Sequence, residues 1–228
     1  MHMVQMVNPA NEKRLEPWER HDENAGQGFV QAAVEAQKDW AAQDWNYRLS
    51  RLSRFGKLLT QESSRLAALL TQETGKPLSQ ARGEIEGVQS RLHFFLEETQ
   101  KWSALEVMYE GSRSQEEITW EPMGVVANIS AWNYPYFVGC NVLIPALLTG
   151  NAVMYKPSEY ATQTGSALVH LLHQAGVPTP LIQCVRGGGA VARSLLSQDI
   201  HGVFFTGSLA TGTKIAQQMA ARMVPVQL

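Results

Sequence analysis

The segment Val125-Val126-Ala127-Asn128-Ile129, followed by Ser130-Ala131-Trp132-Asn133, decides the fold. Its first five residues are a short apolar run that predicts a buried strand, and the polar and aromatic residues after it predict a loop. Three more such runs follow, and a helical pattern comes after each of the four. We predict strands over 125–129, 152–156, 182–185 and 203–205, and helices over 137–148, 162–175, 190–196 and 209–223. This alternation predicts the α/β class, with a parallel sheet that has helices on its faces.

Charge divides the chain into two parts. Residues 1–120 carry 14 of the 19 Lys and Arg and 18 of the 21 Asp and Glu, so residues 121–228 carry only five and three. A charge-poor second part is typical of a sheet that is buried on both faces. The first part predicts helices over 27–42, 47–74 and 78–102, then a hairpin over 107–122 that turns at Gly111-Ser112. We therefore divide the chain into 1–106 (helical), 107–122 (hairpin arm) and 123–228 (α/β core).

Composition argues against several classes of function. A net charge of −2 over 228 residues lacks the basic footprint of a nucleic-acid binder. No run reaches the ~18 apolar residues of a membrane helix. Two cysteines, Cys140 and Cys184, cannot build a disulfide framework, so we expect a cytoplasmic protein. His170 and His173 share a helix with no carboxylate or cysteine cluster nearby, and we expect no metal site.

Ligands bind at the carboxyl ends of the strands in open parallel sheets, so the residues after each strand are candidates. Asn133 follows the first strand, and its amide could donate to a developing oxyanion or could cap the next helix. Lys156 and Glu159 follow the second strand and could hold ribose hydroxyls. Ser158 and Glu159 would also suit the start of a helix, and the two interpretations are compatible.

Glycines follow the third and fourth strands. Residues 187–192 match the pattern G-x-G-x-x-A, but that fingerprint normally follows the first strand of its fold. We therefore predict a tight turn there and not the main pyrophosphate site. Thr206-Gly207-Ser208 opens a helix whose free N–H groups could bind phosphate, although Ser208 could equally be an ordinary cap. Taken together, the four strand ends predict a nucleotide lying across the sheet.

These motifs resemble the aldehyde dehydrogenase superfamily, and the resemblance extends over essentially the whole chain. The segments that carry it are Glu121-Pro122-Met123-Gly124-Val125-Val126, Trp132-Asn133-Tyr134-Pro135, Pro145-Ala146-Leu147 with Gly150-Asn151, Lys156-Pro157-Ser158-Glu159, Ala175-Gly176-Val177-Pro178 and Phe205-Thr206-Gly207-Ser208. In the first part, Asn8-Pro9-Ala10, Trp40 and Gly75-Lys76-Pro77 also fit.

The resemblance implies a Rossmann-like sheet and an enzyme that oxidises an aldehyde to a carboxylate with NAD or NADP. In the family a cysteine thiolate attacks the aldehyde, hydride passes to the nicotinamide, and a water activated by Glu hydrolyses the thioester. The hairpin resembles part of an oligomerisation arm, so the resemblance implies a homo-oligomer at full length. Asn133 matches the catalytic oxyanion donor, and the cofactor-binding candidates are Ile129, Ser130, Trp132, Lys156, Ser158, Glu159, Gly187, Gly189, Thr206, Gly207 and Ser208.

The chain departs from the family pattern at its end. The catalytic Glu and Cys of the family would follow Leu228, while Cys140 and Cys184 lie in apolar surroundings typical of buried thiols. We therefore expect a cofactor-binding portion that is inactive alone, with exposed apolar surface near Leu228. The alternatives are a non-catalytic nucleotide-binding or interaction protein, or an ordinary Rossmann dehydrogenase, which would need a glycine fingerprint after the first strand. Glu159 would repel a 2′-phosphate, which favours NAD, although Lys156 acts against this.

Overall fold

A computed structural model describes residues 2–22 and 24–228 and contains nine strands and eight helices over those residues. The strands are β1 (His2–Val4), β2 (Trp18–Arg20), β3 (Glu106–Glu110), β4 (Gln115–Ile118), β5 (Val125–Ile129), β6 (Ala152–Lys156), β7 (Ile182–Cys184), β8 (Gly202–Phe205) and β9 (Val226–Gln227). The helices are α1 (Ala25–Ala41), α2 (Trp45–Gln61), α3 (Ser63–Thr74), α4 (Leu78–Trp102), α5 (Pro135–Leu148), α6 (Thr162–Gln174), α7 (Gly189–Leu196) and α8 (Leu209–Ala220). A single 3-10 turn, Glu159–Ala161, precedes α6.

The second part of the chain forms a parallel sheet in the order β7-β6-β5-β8-β9. β5 and β6 are buried at every position because helices cover both faces of the sheet. The pairing places Ile129 level with Lys156 on one side and with Phe205 on the other. The strands therefore end together at one edge, and the predicted α/β class is confirmed.

Helices form a layer on each face of the sheet. The crossovers through α5 and α6 run in one direction along the sheet, from β5 to β6 to β7, and the crossover through α7 runs back to β8. Because such connections are right-handed, α7 lies on the face of the sheet opposite α5 and α6. α1 packs against β5, β6 and α7. Helices α2, α3 and α4 pack on the outside of α5 and α6. Helices α2, α3 and α4 thus form a further layer, the N-terminal helical layer, over α5 and α6.

The structure corrects the long helix that the sequence predicts over 47–74. Two helices occupy this range, because α2 ends at Gln61 and α3 begins at Ser63. Glu62 between them leaves the helical region, with ψ near 1°. The apolar stripe does not reveal this break, because Leu59 and Leu66 on either side are both fully buried in the same core.

Three short strands were not predicted. β1 pairs with β2 in a separate two-stranded ribbon near the N-terminus. β9 adds a fifth strand to the main sheet through two residue pairs, Val203 with Val226 and Phe204 with Gln227. β1, β2 and β9 have two or three residues each and lie outside the alternation of strands and helices from which β5 to β8 were predicted.

Helix α3 ends at Gly75, as the sequence predicts. Gly75 adopts a left-handed conformation with φ of 76°, which suits a residue without a side chain. A Cβ atom there would also lie 2.8 Å from the side chain of Pro9.

The hairpin of β3 and β4 is antiparallel and exposed along both strands, with a register shift between Val107 and Tyr109. None of the helices in the described residues is both long enough and apolar enough to span a membrane.

Candidate functional site

The carboxyl edge of the sheet brings the ends of β5, β6 and β8 into hydrogen-bonding contact. The N–H of Ser130 donates to the carbonyl of Lys156 at 3.0 Å, and the N–H of Thr206 donates to the carbonyl of Ile129 at the same distance. Ile129 and Ser130 are buried, whereas the chain becomes exposed at Trp132. The sequence-predicted candidates therefore meet at one edge, although their positions in the chain lie far apart.

The loop between β5 and α5 presents exposed polar and aromatic side chains. Trp132, Asn133 and Tyr134 are all exposed. The Oδ1 atom of Asn133 accepts a hydrogen bond from the N–H of Tyr134 at 3.1 Å. Its amide nitrogen has no hydrogen-bond partner within residues 2–22 and 24–228, and it is therefore available to donate to a ligand.

A side chain from another helix caps α5. The Oε1 atom of Glu84 accepts hydrogen bonds from the N–H groups of Tyr136 and Phe137, at 2.8 and 3.1 Å. These are among the first donors of α5, which a local cap would otherwise satisfy. Glu84, on α4, therefore caps the N-terminus of α5. Asn133 does not cap this helix, contrary to one interpretation of the sequence. Nothing in the sequence near Glu84 indicates this contact.

The end of β6 places a buried cation beside a half-exposed carboxylate. The Nζ atom of Lys156 donates to the carbonyl of Pro157 at 2.8 Å and lies 3.8 Å from Oε2 of Glu159. Burial lowers the pKa of Lys156, and the charge of Glu159 acts in the opposite direction. Ser158 accepts a hydrogen bond from the N–H of Tyr160 and caps the turn that precedes α6, as one interpretation of the sequence predicts.

Gly188, the residue before α7, lies near Glu159, and we call the space bordered by Lys156, Glu159 and Gly188 at the carboxyl edge the cleft. A Cβ atom on Gly188 would lie 3.7 Å from Oε1 of Glu159, so a side chain at this position would fill the space beside the carboxylate. Sequence reasoning selected Gly187 and Gly189 from the glycine fingerprint and missed Gly188. The G-x-G pattern leaves its middle position unspecified, and only the approach of Glu159 identifies it.

Two helix N-termini lie at the same edge. Helix α7 begins at Gly189, and the residue before it has no side chain that could cap it. Helix α8 follows Ser208, whose hydroxyl accepts from the N–H of Thr211, and residues 206–210 are exposed. Backbone N–H groups at such ends, together with the helix dipole, favour anions.

The two cysteines are unsuited to nucleophilic chemistry. Cys140 on α5 is completely buried, and burial raises its pKa. Burial also raises the pKa of Cys184, to about 11, although the hydroxyl of Ser166 3.5 Å away acts in the opposite direction. A thiol with a raised pKa carries little thiolate at neutral pH.

Among the histidines, His173 has its Nε2 atom 2.9 Å from the carbonyl of Ile182, which is a structural contact.

A large cavity borders the end of β8 and extends along the surface away from Lys156 and Glu159. It has a volume of about 1010 Å³ and runs along α5 beside β8 and the end of α4. Apolar side chains such as Phe95, Val142 and Phe204 line it. Thr206, at the carboxyl edge, is the one sequence-predicted site residue in its wall, and neither Lys156 nor Glu159 lines it.

A parallel sheet with polar groups at its carboxyl edge is the arrangement of nucleotide-binding α/β proteins. The chain belongs to the aldehyde dehydrogenase family, an oxidoreductase family whose sequence model matches residues 2–228. The resemblance drawn from the motifs is therefore confirmed.

Individual relatives match over nearly the whole of this chain. An N-succinylglutamate 5-semialdehyde dehydrogenase of Legionella pneumophila (strain Corby) is 32% identical over 226 residues, which cover 96% of this chain and 44% of the relative. A 3,6-anhydro-alpha-L-galactose dehydrogenase of Streptomyces coelicolor is 36% identical, with 98% and 46% covered. The crystal structure of an NADP-dependent glyceraldehyde-3-phosphate dehydrogenase from Bacillus halodurans, complexed with NADP, matches with a TM-score of 0.92 at 28% identity, covering 99% of this chain and 48% of that one. The chain thus spans about half the length of the relatives that it matches.

Proposed function

We propose that this chain is the cofactor-binding part of an enzyme that oxidises an aldehyde to a carboxylate with NAD or NADP. The observation that carries the proposal is the cluster of Lys156, Glu159 and Gly188 at the carboxyl edge of the sheet. Family membership supports the reaction class, and so do two of the relatives reported above, a semialdehyde dehydrogenase and an NADP-dependent glyceraldehyde-3-phosphate dehydrogenase.

The residues of the edge fit such a cofactor. The exposed carboxylate of Glu159 can accept hydrogen bonds from ribose hydroxyls, and the absent side chain of Gly188 leaves room beside it. The N-termini of α7 and α8 offer N–H groups for a pyrophosphate. Those of α5 and α6 do not, because Glu84 and Glu73 already accept their hydrogen bonds. When bound, the cofactor supplies the hydride acceptor.

We assign roles to the other candidates on the same basis. Asn133 would donate its free amide hydrogen to the oxyanion that develops on the aldehyde oxygen, and it needs no particular protonation state to do so. Trp132 and Ile129 would lie along the cofactor, and Gly187 and Gly189 would shape the turn into α7. Thr206, Gly207 and Ser208 would border the pyrophosphate. The remaining candidates keep the positions described above: Ser130 lies buried between the strand ends, and Ser158 fixes the turn that carries Glu159.

The nucleophile is the part of the reaction that these residues do not provide. We propose that the catalytic Cys and the general-base Glu lie in the half of the relatives that this chain does not cover. The burial of Cys140 and the raised pKa values of both cysteines support this, and they favour a nucleotide-binding role without catalysis as the function of the 228 residues by themselves.

The 228-residue chain is therefore expected to show no aldehyde oxidation. The measurement is the absorbance of reduced cofactor at saturating NAD or NADP with a panel of aliphatic and aromatic aldehydes. A longer protein of the same family serves as the positive control under identical conditions. Sustained production of reduced cofactor by the 228 residues alone would overturn the assignment of the nucleophile.

Cofactor binding tests the cleft directly. The wild-type chain is expected to bind cofactor weakly and to gain melting temperature at millimolar concentrations, because a ligand that binds only the folded state stabilises it. Glu159→Gln is expected to raise the affinity for NADP relative to NAD by about 10-fold, since a like charge about 4 Å away costs ~1 kcal/mol in water and more in a partly buried site. Titration calorimetry of both cofactors gives the ratio.

Glu35→Gln is the matched control for this experiment. Glu35 is an exposed glutamate on α1 that pairs with Lys38 on the surface, and its replacement removes the same charge. The NADP-to-NAD ratio should stay at the wild-type value. An equal change of the ratio in both variants would mean that net charge, and not the position of Glu159, determines it. If the wild-type chain shows neither heat of binding nor a change in melting temperature with NAD or NADP, the proposal that the cleft binds the cofactor is contradicted.

The division of the chain and its assembly belong to the same proposal. We propose a helical part over 1–106, a hairpin arm over 107–122 and a cofactor-binding core over 123–228. Exposed apolar side chains on the hairpin, among them Met108 and Tyr109, support its use as an oligomerisation arm in the full-length enzyme. Two free cysteines support a reducing, cytoplasmic location.

A further inference from the structure

Two buried carboxylates from the N-terminal helices reach the helices of the cofactor cleft. Glu73 lies at the end of α3 and Glu84 near the start of α4, and both are almost completely buried. An unpaired buried carboxylate is costly, so each needs compensating donors. In both cases the donors come from the N-terminus of a helix that follows a strand of the sheet.

Glu84 holds the start of α5. Its Oε1 atom accepts from two backbone N–H groups of that helix, at 2.8 and 3.1 Å. Its Oε2 atom pairs with the Nζ atom of Lys76, which is also largely buried. The same Nζ atom lies 3.8 Å from the centre of the Tyr134 ring. Glu84 and Lys76 thus contact both ends of the turn that leads from Asn133 into α5.

Glu73 holds the start of α6 in the same way. Its two oxygens accept from the N–H groups of Gln163 and Thr164, both at 2.7 Å. The hydroxyl of Thr164 adds a third hydrogen bond at 2.6 Å. Helix α6 comes directly after the segment that carries Lys156, Ser158 and Glu159.

The two buried carboxylates come from one junction of the chain and contact two different helices. Residues 73–84 form the junction between α3 and α4, and they place one carboxylate on each of two neighbouring helices. A carboxylate at a helix N-terminus is favoured by the helix dipole and accepts several N–H bonds at once, which a neutral side chain cannot do equally well. The loops before α5 and α6 carry the two groups of candidate residues that the cleft requires.

We propose that Glu73 and Glu84 are positioning residues for the two halves of the cleft, with Glu84 and its partner Lys76 orienting the Asn133 loop and Glu73 orienting the loop of Lys156 and Glu159. The proposal rests on the function proposed above, because the halves are defined by the nucleotide that lies across them. It adds a role for the N-terminal helical layer, which otherwise serves only as packing.

Glu84→Gln and Glu73→Gln test this, and each variant is the matched control of the other. Both substitutions keep the size of the side chain but replace one acceptor oxygen by an N–H₂ donor. Amide hydrogen exchange in the 228-residue chain is expected to speed up by about 10-fold over 134–138 in Glu84→Gln, with 163–166 unchanged, because local opening no longer breaks charge-assisted bonds. Glu73→Gln is expected to show the reverse pattern.

A second readout uses 5′-AMP, which carries only the adenosine half of the cofactor. Its affinity is expected to fall at least about 5-fold in Glu73→Gln and to stay within about twofold in Glu84→Gln, since only the first loses a charge-assisted anchor of the loop at the adenosine end. Lys76→Arg keeps a cation beside Glu84 and should leave exchange over 134–138 at the wild-type value, whereas a general loss of packing at this position would raise it. Should a Gln variant fail to fold, Thr164→Val removes one partner of Glu73 and is expected to raise exchange over 163–166 alone.

The proposal would be overturned if exchange rose equally at the starts of α5 and α6 in both variants, or if it rose at neither. It would also be overturned if Glu84→Gln raised exchange only at the start of α6, or Glu73→Gln only at the start of α5. If wild type does not bind AMP while the exchange pattern is as expected, the proposed cofactor cleft fails and the positioning of the two loops stands.

Discussion

Lys76→Met is expected to lower the free energy of unfolding by about 3–5 kcal/mol, the range found when one partner of a buried ion pair is removed. The side chain of Glu84 is fully buried and that of Lys76 is 10% exposed. Without Lys76, the Glu84 carboxylate keeps its two N–H donors but loses its counter-charge in a region that water does not reach. Urea unfolding followed by circular dichroism gives the change directly, because the midpoint shifts while the slope is retained.

Lys101→Met is the matched control for this prediction. Lys101 pairs with Glu98 on the surface of the same helix, α4, at 2.7 Å, and its side chain is 65% exposed. Exposed pairs of this kind contribute about 0–1 kcal/mol. A loss at Lys76 no larger than the loss at Lys101 would show that the Lys76–Glu84 pair is solvated in solution, contrary to its burial in the structure.

Asn133→Ala, introduced into a full-length enzyme that contains this chain, is expected to lower kcat by about 10²–10³-fold, as removal of an oxyanion donor does elsewhere. The exposed amide of Asn133 has no competing partner for its nitrogen among the described residues, so the loss of the side chain removes a donor and leaves the local fold intact. Steady-state kinetics with a saturating aldehyde measure kcat, and the KM for the cofactor should change little.

Asn46→Ala provides the comparison for Asn133. Asn46 is an exposed asparagine on α2, outside the loop between β5 and α5. It should leave kcat within about twofold, because surface substitutions of this kind have small effects. Equal kcat values for wild type and Asn133→Ala would remove Asn133 from the reaction. A large rise in cofactor KM at constant kcat would instead place it in cofactor binding.

The predicted and observed structures agree where the pattern is local. The four longer strands of the sheet and the helices after them were predicted to within a few residues, because a buried strand is a continuous apolar run and a packed helix repeats every 3.6 residues. The helix break at Glu62 was missed, since the apolar stripe continues through it. The two-residue strand β9 was missed because it is defined by its partner β8 and not by its own pattern.

Some residues of the candidate site could likewise be predicted from the local sequence, and others could not. Lys156, Glu159 and the residues around Asn133 were predicted from their place after a strand, which is information that the local sequence holds. Gly188 was not, because its relevance lies in the approach of Glu159, 29 positions earlier in the chain. The residues around Asn133 do not decide whether it caps α5; the contact of Glu84, from another helix, with the first N–H groups of α5 decides it.

The family, the α/β class and the positions at which candidate residues follow strands could all be read from the sequence, because apolar runs, helical periods and strand-end motifs are written in consecutive residues. Only the tertiary structure decided which groups hold those positions in place. Glu84 and its donor Tyr136 are 52 residues apart, and Glu73 and Gln163 are 90 apart. A glutamate in a helix normally lies on the exposed face, and nothing in its neighbours shows that it is buried. Its role as an anchor arises when packing removes water and leaves other groups to compensate the charge: N–H groups of another helix, together with Lys76 for Glu84 and the hydroxyl of Thr164 for Glu73.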